Sequence, residues 1–143
     1  VADEIGTYLA LSLHAPNDRL REEIMPINKK FKIKELVKQL KYYTSVVKEP
    51  IFLEYVMLKN VNDTEECAKQ LVKLMAQFPC KINLIEFNSW PGVKFEPTER
   101  KNIEKFSKYI QDKGYMSFIR RSRGDDVLAA CGQLRTESIK KIN

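Results

Sequence analysis

Apolar positions along the chain follow two different periods. Short runs rich in β-branched and aromatic residues read as buried strands, and longer stretches with an apolar residue every three or four positions read as helices. Tyr8–Leu13 is the first run and ends at polar His14. A short helix from Asn17 or Asp18 to Ile24 follows, with Leu20 and Ile24 on one face. Ile33, Leu36, Val37, Leu40 and Tyr43 mark a second helix, and Pro50 sets the next boundary. Ile51–Leu58 reads as a strand and Asn60–Asp63 as a turn, in which Asp63 and Glu66 have the spacing of a capping box. The helix opened there turns Cys67, Leu71, Leu74, Met75 and Phe78 inward and stops at Pro79. Lys81–Ile85 is a third strand and Asn88–Gly92 a loop. A helix from about Thr98 carries Ile103, Phe106 and Ile110 to a C-terminal cap at Gly114, and Met116–Ile119 is the last strand.

This alternation predicts the α/β class, with βα units on a parallel sheet. Four strands are too few for a closed eight-stranded barrel, which takes roughly 250 residues, so the sheet is either small and open or part of a barrel. Both arrangements put functional groups at the carboxyl ends of the strands. That rule selects Ser12–Asn17, the loop after Leu58, Asn88–Gly92 and the segment after Ile119.

Composition narrows the classes without choosing a function. The 143 residues suffice for one domain with a core, and 43% hydrophobic with 31% charged residues is ordinary for a globular chain. No apolar run approaches the ~20 residues of a membrane span. Val1–Ile5 has neither a signal-peptide pattern nor an initiator Met, so the chain is expected to start inside a longer protein. The net charge of +6 suits a nucleic-acid partner and equally suits solvated basic faces. Three cysteines at wide separations and one histidine assemble no zinc or cluster set at the usual spacings. Scarce cysteine predicts a reducing, cytoplasmic compartment.

The strand ends carry the candidate chemistry. Ser12, His14 and Asn17 offer a hydroxyl, an imidazole and an amide in a turn stiffened by Pro16, or simply a satisfied polar turn that caps a helix. Asn88 can bond a polar ligand or start an Asx-turn, and Trp90 reads as packing. Cys67, on an apolar helix face, and Cys80, opening a strand, both read as structural. Cys131 differs, because Ala129, Ala130 and Gly132 let other groups approach its thiol. Arg120, Arg121 and Arg123 favour a thiolate there, while Asp125 and Asp126 oppose it. No GxGxxG, P-loop or HExxH pattern occurs. A Cys131–His14 hydrolase would lack an orienting residue and an oxyanion loop.

Four blocks, "LALSLHAPNDRLREEIMPINKK", "EYVMLKNVND", "PCKINLIEFNSWPG" and "RRSRGDDVLAACGQL", together resemble the C-terminal half of the radical-SAM adenine-C2 RNA methyltransferases. The resemblance implies about half of a partial (β/α) barrel over residues 1–122, followed by a segment, 123–143, that carries a methyl-accepting cysteine. It implies S-adenosylmethionine contacts at Ser12, Leu13, His14 and Asn88, and S-methylation at Cys131. In that family one S-adenosylmethionine methylates the thiol, and a second is cleaved reductively at a [4Fe-4S] cluster. The radical takes hydrogen from the S-methyl group, the carbon adds to adenine, and a second cysteine releases the product. The implied substrates are adenosines of 23S rRNA and tRNA. The related C8-methylating enzymes share the scaffold, and a non-catalytic, basic RNA-binding remnant is a further alternative. The family's CxxxCxxC cluster motif, its Gly-Glu strand contact and its resolving cysteine do not appear in this chain. Alone, the chain is therefore expected to be inactive, with a missing cluster-bearing N-terminal half as its partner.

Overall fold

The computed structural model describes residues 9–121, and the statements below concern those residues. Four strands form one parallel sheet: β1 (Ala10–Ser12), β2 (Ile51–Met57), β3 (Cys80–Glu86) and β4 (Ser117–Arg121). Helices α1 (Asp18–Ile24) and α2 (Ile33–Val47), with a 3-10 turn at Pro26–Lys29 between them, connect β1 to β2. Helix α3 (Glu65–Met75) connects β2 to β3, and α4 (Arg100–Asp112) connects β3 to β4. The strand order is β1-β2-β3-β4 without reversal. A parallel sheet wound in one direction by right-handed crossovers collects its helices on one face and has no topological switch point.

Burial follows that winding. Leu53, Tyr55, Met57, Ile82 and Leu84 point to the helical face and join one cluster with Val37 and Leu40 of α2, Leu71 and Met75 of α3, and Ile103, Phe106 and Ile110 of α4. Tyr55 and Phe106 meet there with ring centroids 5.6 Å apart. The other face is of a different kind. Ser12, Glu54, Asn83 and Phe118 form one register row across it. Phe52 and Phe118 approach at 6.5 Å, with the Lys81 ammonium over the Phe52 ring and the Arg120 guanidinium over Phe118. Parallel sheets are normally covered on both faces. Among the described residues, helices cover only one.

Local chemistry moves several boundaries from those read in the sequence. Thr64, not Asp63, caps α3, its hydroxyl accepting the Cys67 N–H at 3.2 Å. The Asp63 carboxylate is engaged elsewhere, by the Asn60 N–H and by the Thr98 hydroxyl at 2.8 Å. That bond and the pairing of Pro97 with Leu58 hold residues 97–98 extended, so α4 begins at Arg100. Phe78 is buried in the turn after α3 rather than on it. Gly114 ends α4 with φ +96, a conformation open to glycine, and its N–H reaches the Gln111 carbonyl at 2.9 Å.

β1 pairs only with β2 among the described residues, so its outer edge presents backbone groups that a further strand can take. The chain is therefore expected to self-associate, its mass by light scattering rising with concentration. Ala10→Lys, which puts a charge on that edge, should reduce the effect. A wild-type monomer at high concentration with a sharp, high-temperature melt would contradict this reading.

Candidate functional site

Where β1 ends, its backbone is tied into the interior by side chains from other elements. The Leu13 and His14 N–H groups both donate to the Glu54 carbonyl of β2, at 2.9 and 3.2 Å. His14 takes a left-handed backbone with φ 59. This turns its ring across the sheet, where Nδ1 accepts the Val56 N–H at 2.9 Å. The imidazole is therefore neutral and carries its proton on Nε2. It is fully buried, and that burial, followed by the nearby Arg21 charge, holds its pKa at about 3.

Arg21 of α1 is also buried. Its Nη2 donates to the Ser12 carbonyl at 2.9 Å, its Nε to the Leu13 carbonyl at 3.0 Å and its Nη1 to Asn28 Oδ1 at 2.9 Å. Asn28 passes the connection on, donating to Asp18 Oδ1, which also takes the Ile33 N–H at the start of α2. Those bonds help to hold the Asp18 carboxyl below its ordinary range, with Lys32 and Arg21 adding to them, against the opposing pull of burial. On the β2 side stands Asn62, also fully buried. Its Nδ2 donates to the His14 and Val56 carbonyls at 2.8 and 2.7 Å, and its Oδ1 accepts the Leu58 N–H at 2.8 Å. The Tyr55 hydroxyl donates to the Asn62 carbonyl at 2.6 Å.

The rim continues at β3 and β4. Phe87 is buried and packs edge-to-face with Trp90 at 5.5 Å, so Trp90 is a packing residue. Asn88, next along, is exposed. At the end of β4, Arg120 and Arg121 are exposed, and Arg120 Nε reaches Asn83 Oδ1 at 3.4 Å. Two clefts, of about 320 and 710 Å³, open between helices and these strand-end loops: one is lined by Asp63, Thr64 and Tyr109, the other by Asn17, Lys38 and Leu74.

The four strand-end residues singled out in the sequence thus divide. Ser12, Leu13 and His14 lie together at the end of β1, with Ser12 half-buried and the other two interior. Asn88 lies two strands away, five residues beyond Asn83, the β3 residue in register with Ser12. Asn17 is the α1 cap, accepting the Leu20 N–H at 2.9 Å. Cys131 and Arg123 lie outside the described residues. Cys67 is buried on α3, and Cys80 opens β3 at the opposite end of the sheet, where burial pushes its thiol up to about 12. Arg21, Asn28 and Asn62 were not legible as site residues. Their only signal was their position inside two of the sequence blocks.

No family model matches the chain. It is 53% identical over 137 residues to the dual-specificity RNA methyltransferase RlmN of Mesorhizobium japonicum, a match covering 95% of this chain and 33% of that protein. The protein of the same name from Rhodopseudomonas palustris is 50% identical over 139 residues, covering 96% and 35%. Among solved structures, a radical SAM methyltransferase from Sphaerobacter thermophilus matches with a TM-score of 0.80 and 36% identity, over 89% of this chain and 37% of that one. A domain of a pyruvate-formate lyase-activating enzyme from Bacteroides vulgatus shares the fold, with a TM-score of 0.61 and 15% identity over 82% and 71%. The chain spans about a third of the length of the curated relatives it matches. Over that stretch it is a homologue of radical-SAM RNA methyltransferases. No helix among the described residues is long and apolar enough to cross a membrane.

The buried neutral imidazole has a consequence for stability. His14 is depressed from 6.5 to about 3, so between those values the unfolded chain binds a proton that the folded chain refuses. Stability is then complete above pH 6.5 and falls as the pH drops toward 3. From neutrality to about pH 5, the loss from this group is ~2 kcal/mol. Urea denaturation at the two pH values measures it, and His14→Gln should flatten the slope. An unchanged slope in that variant would rule out His14 as its source.

Proposed function

We propose that this chain, homologous to radical-SAM RNA methyltransferases over about a third of their length, supplies such an enzyme with an S-adenosylmethionine-facing rim and a methyl-accepting cysteine. The observation that carries the reading is 50–53% identity across 95–96% of the chain, including the segments that bear Ser12, Asn88 and Cys131. The rim geometry supports it. A hydroxyl at the end of β1 and an amide beyond β3 both lie at the carboxyl ends of parallel strands, where such sheets take their ligands. Ser12 and Asn88 are the side-chain contacts in this reading. Leu13 and His14, both interior, act through the shape of the turn that presents Ser12.

Cys131 is the covalent participant. Its thiolate attacks the sulfonium methyl carbon; a sulfur–carbon bond forms, the sulfonium carbon–sulfur bond breaks, and S-adenosylhomocysteine leaves. The thiol proton goes to solvent. Small neighbours at Ala129, Ala130 and Gly132 let the alkylated sulfur approach a base, and Arg120, Arg121 and Arg123 hold RNA phosphate. The acceptor is C2 of adenosine in 23S rRNA and tRNA, in the cytoplasm. A [4Fe-4S] cluster supplies the electron for reductive cleavage in the complete enzyme, and the described cysteines of this chain do not fit it. Cys67 faces the core, and Cys80 lies at the far end of the sheet with a raised pKa. The cluster therefore belongs to the part of the enzyme that this chain does not span.

The test supplies the remaining part of a curated relative to this chain and follows both protein and RNA. Peptide mapping should find one methyl group on Cys131, and 2-methyladenosine should appear in the RNA. Cys131→Ala should fold normally and lose turnover, because no other group takes its place in a covalent relay. Cys67→Ala should lose ~1 kcal/mol of stability and keep the chemistry. Product formed at the normal rate by Cys131→Ala would refute the assignment, and 8-methyladenosine in the RNA would move the reaction to the other ring carbon.

A further inference from the structure

All three carbonyls of the Ser12–Leu13–His14 turn receive a hydrogen bond from a buried side chain of another element. Arg21 supplies two of these bonds, to Ser12 and Leu13, and Asn62 supplies the third, to His14. Ending a strand does not require this, since turn carbonyls at a surface are satisfied by water. A buried guanidinium is costly unless its bonds are well met, and a non-glycine residue at φ 59 carries strain that surrounding contacts must over-determine. The turn is gripped from two sides. Arg21 is anchored through Asn28 and Asp18 to the start of α2, and Asn62 through Val56, Leu58 and Tyr55 to the end of β2.

We propose that Arg21 and Asn62 are positioning residues that lock the Ser12–Leu13–His14 turn in its ligand-taking conformation. The inference rests on the reading that this turn meets S-adenosylmethionine. Neither residue touches the ligand. Arg21 sets the path of the chain as it leaves β1, and Asn62 fixes the His14 peptide whose left-handed twist sends the ring across to Val56. Together they hold Ser12 at the head of its row on the open sheet face.

Two readouts separate holding the turn from binding the ligand. His14 is the only histidine, so nitrogen-15 correlations of the imidazole report on a single residue in the chain itself. The wild-type ring should show a bare Nδ1, a protonated Nε2 and no titration down to about pH 5. Asn62→Ala and Arg21→Lys should change that ring signature while the protein stays folded. In the enzyme assembled from this chain and the remainder of a curated relative, both variants should lower S-adenosylmethionine affinity by about tenfold or more, read by equilibrium dialysis. Leu71→Ala, a core truncation in α3, should lower the melting temperature while leaving the ring and the affinity as they are. Where Asn62→Ala fails to fold, Asn62→Asp takes its place, keeping the acceptor for Leu58 and losing both donations. An unaltered ring in a folded variant overturns the proposal, as does an altered ring with unchanged affinity. If the assembled wild-type enzyme does not bind S-adenosylmethionine, the site reading and the proposal with it are overturned. In that case the ring data still decide whether Arg21 and Asn62 hold the turn.

Discussion

β1 stops three residues before β2 does, and the backbone groups this strands on the longer strand must find other partners. The register ends at Ser12 opposite Glu54, while β2 runs on to Met57. In a buried parallel sheet an unpaired N–H or carbonyl costs on the order of 1–3 kcal/mol. Two side chains fill the gap. The His14 ring accepts the Val56 N–H, and the Asn62 amide takes the Val56 carbonyl and the Leu58 N–H. Imidazole and amide together imitate the strand that is not there. The imitation fixes His14 as neutral, since a protonated Nδ1 would face the Val56 N–H as a second donor. A structural need of the sheet thus sets the protonation state of the one titratable group in the turn.

The elements were largely legible because periodicity reports burial, and the helical face takes most of the buried apolar side chains. Ile51, Leu53, Tyr55 and Met57 alternate inward along β2, and Ile103, Phe106 and Ile110 mark the inner stripe of α4. The buried polar residues were not legible. Asn62 read as one of several turn residues in "NVND", and Arg21 as a charge on a short helix. Periodic patterns treat both as solvent-facing, whereas Arg21 is 4% exposed and Asn62 fully buried. Competition between neighbouring cap candidates was also invisible. Asp63 had the right spacing, but Thr98, 35 residues away, takes its carboxylate and leaves Thr64 to cap.

Of the candidate site, the sequence identified the turn correctly as a strand end but not the direction in which its side chains point. Ser, Leu and His in succession look like three displayed groups. The left-handed residue at His14 turns the ring into the protein, and Leu13 joins the core. Only Ser12 keeps a half-buried position facing the open side of the sheet. A positive φ at a histidine has no sequence signal as plain as a glycine would provide. Of the two readings of this segment, the structure bears out the polar turn. The turn is thoroughly satisfied, and that satisfaction is what makes its geometry definite.

The sheet is built unequally from side to side. At β1 and β2 the rim is cross-linked by buried polar bonds that join α1, α2 and the loop after Leu58 to one turn. At β3 and β4 the groups beyond the strands are more open: Asn88, Arg120 and Arg121 are exposed. Polar bonds among buried groups strengthen in a low-dielectric interior, whereas exposed cations interact with partners through a screened field. The two sides therefore suit different tasks. A small ligand whose reacting atom must be held to a fraction of an ångström is better served by the cross-linked side. A long polyanion, which needs charge more than exact placement, is better served by the exposed arginines. The same division accounts for the open face beneath the rim. Its row of hydroxyl, carboxylate and amide at Ser12, Glu54 and Asn83 is too polar for a dry core against another sheet, yet it is flanked by two aromatic rings under cations. A face of that composition is not suited to burying a second layer of apolar side chains.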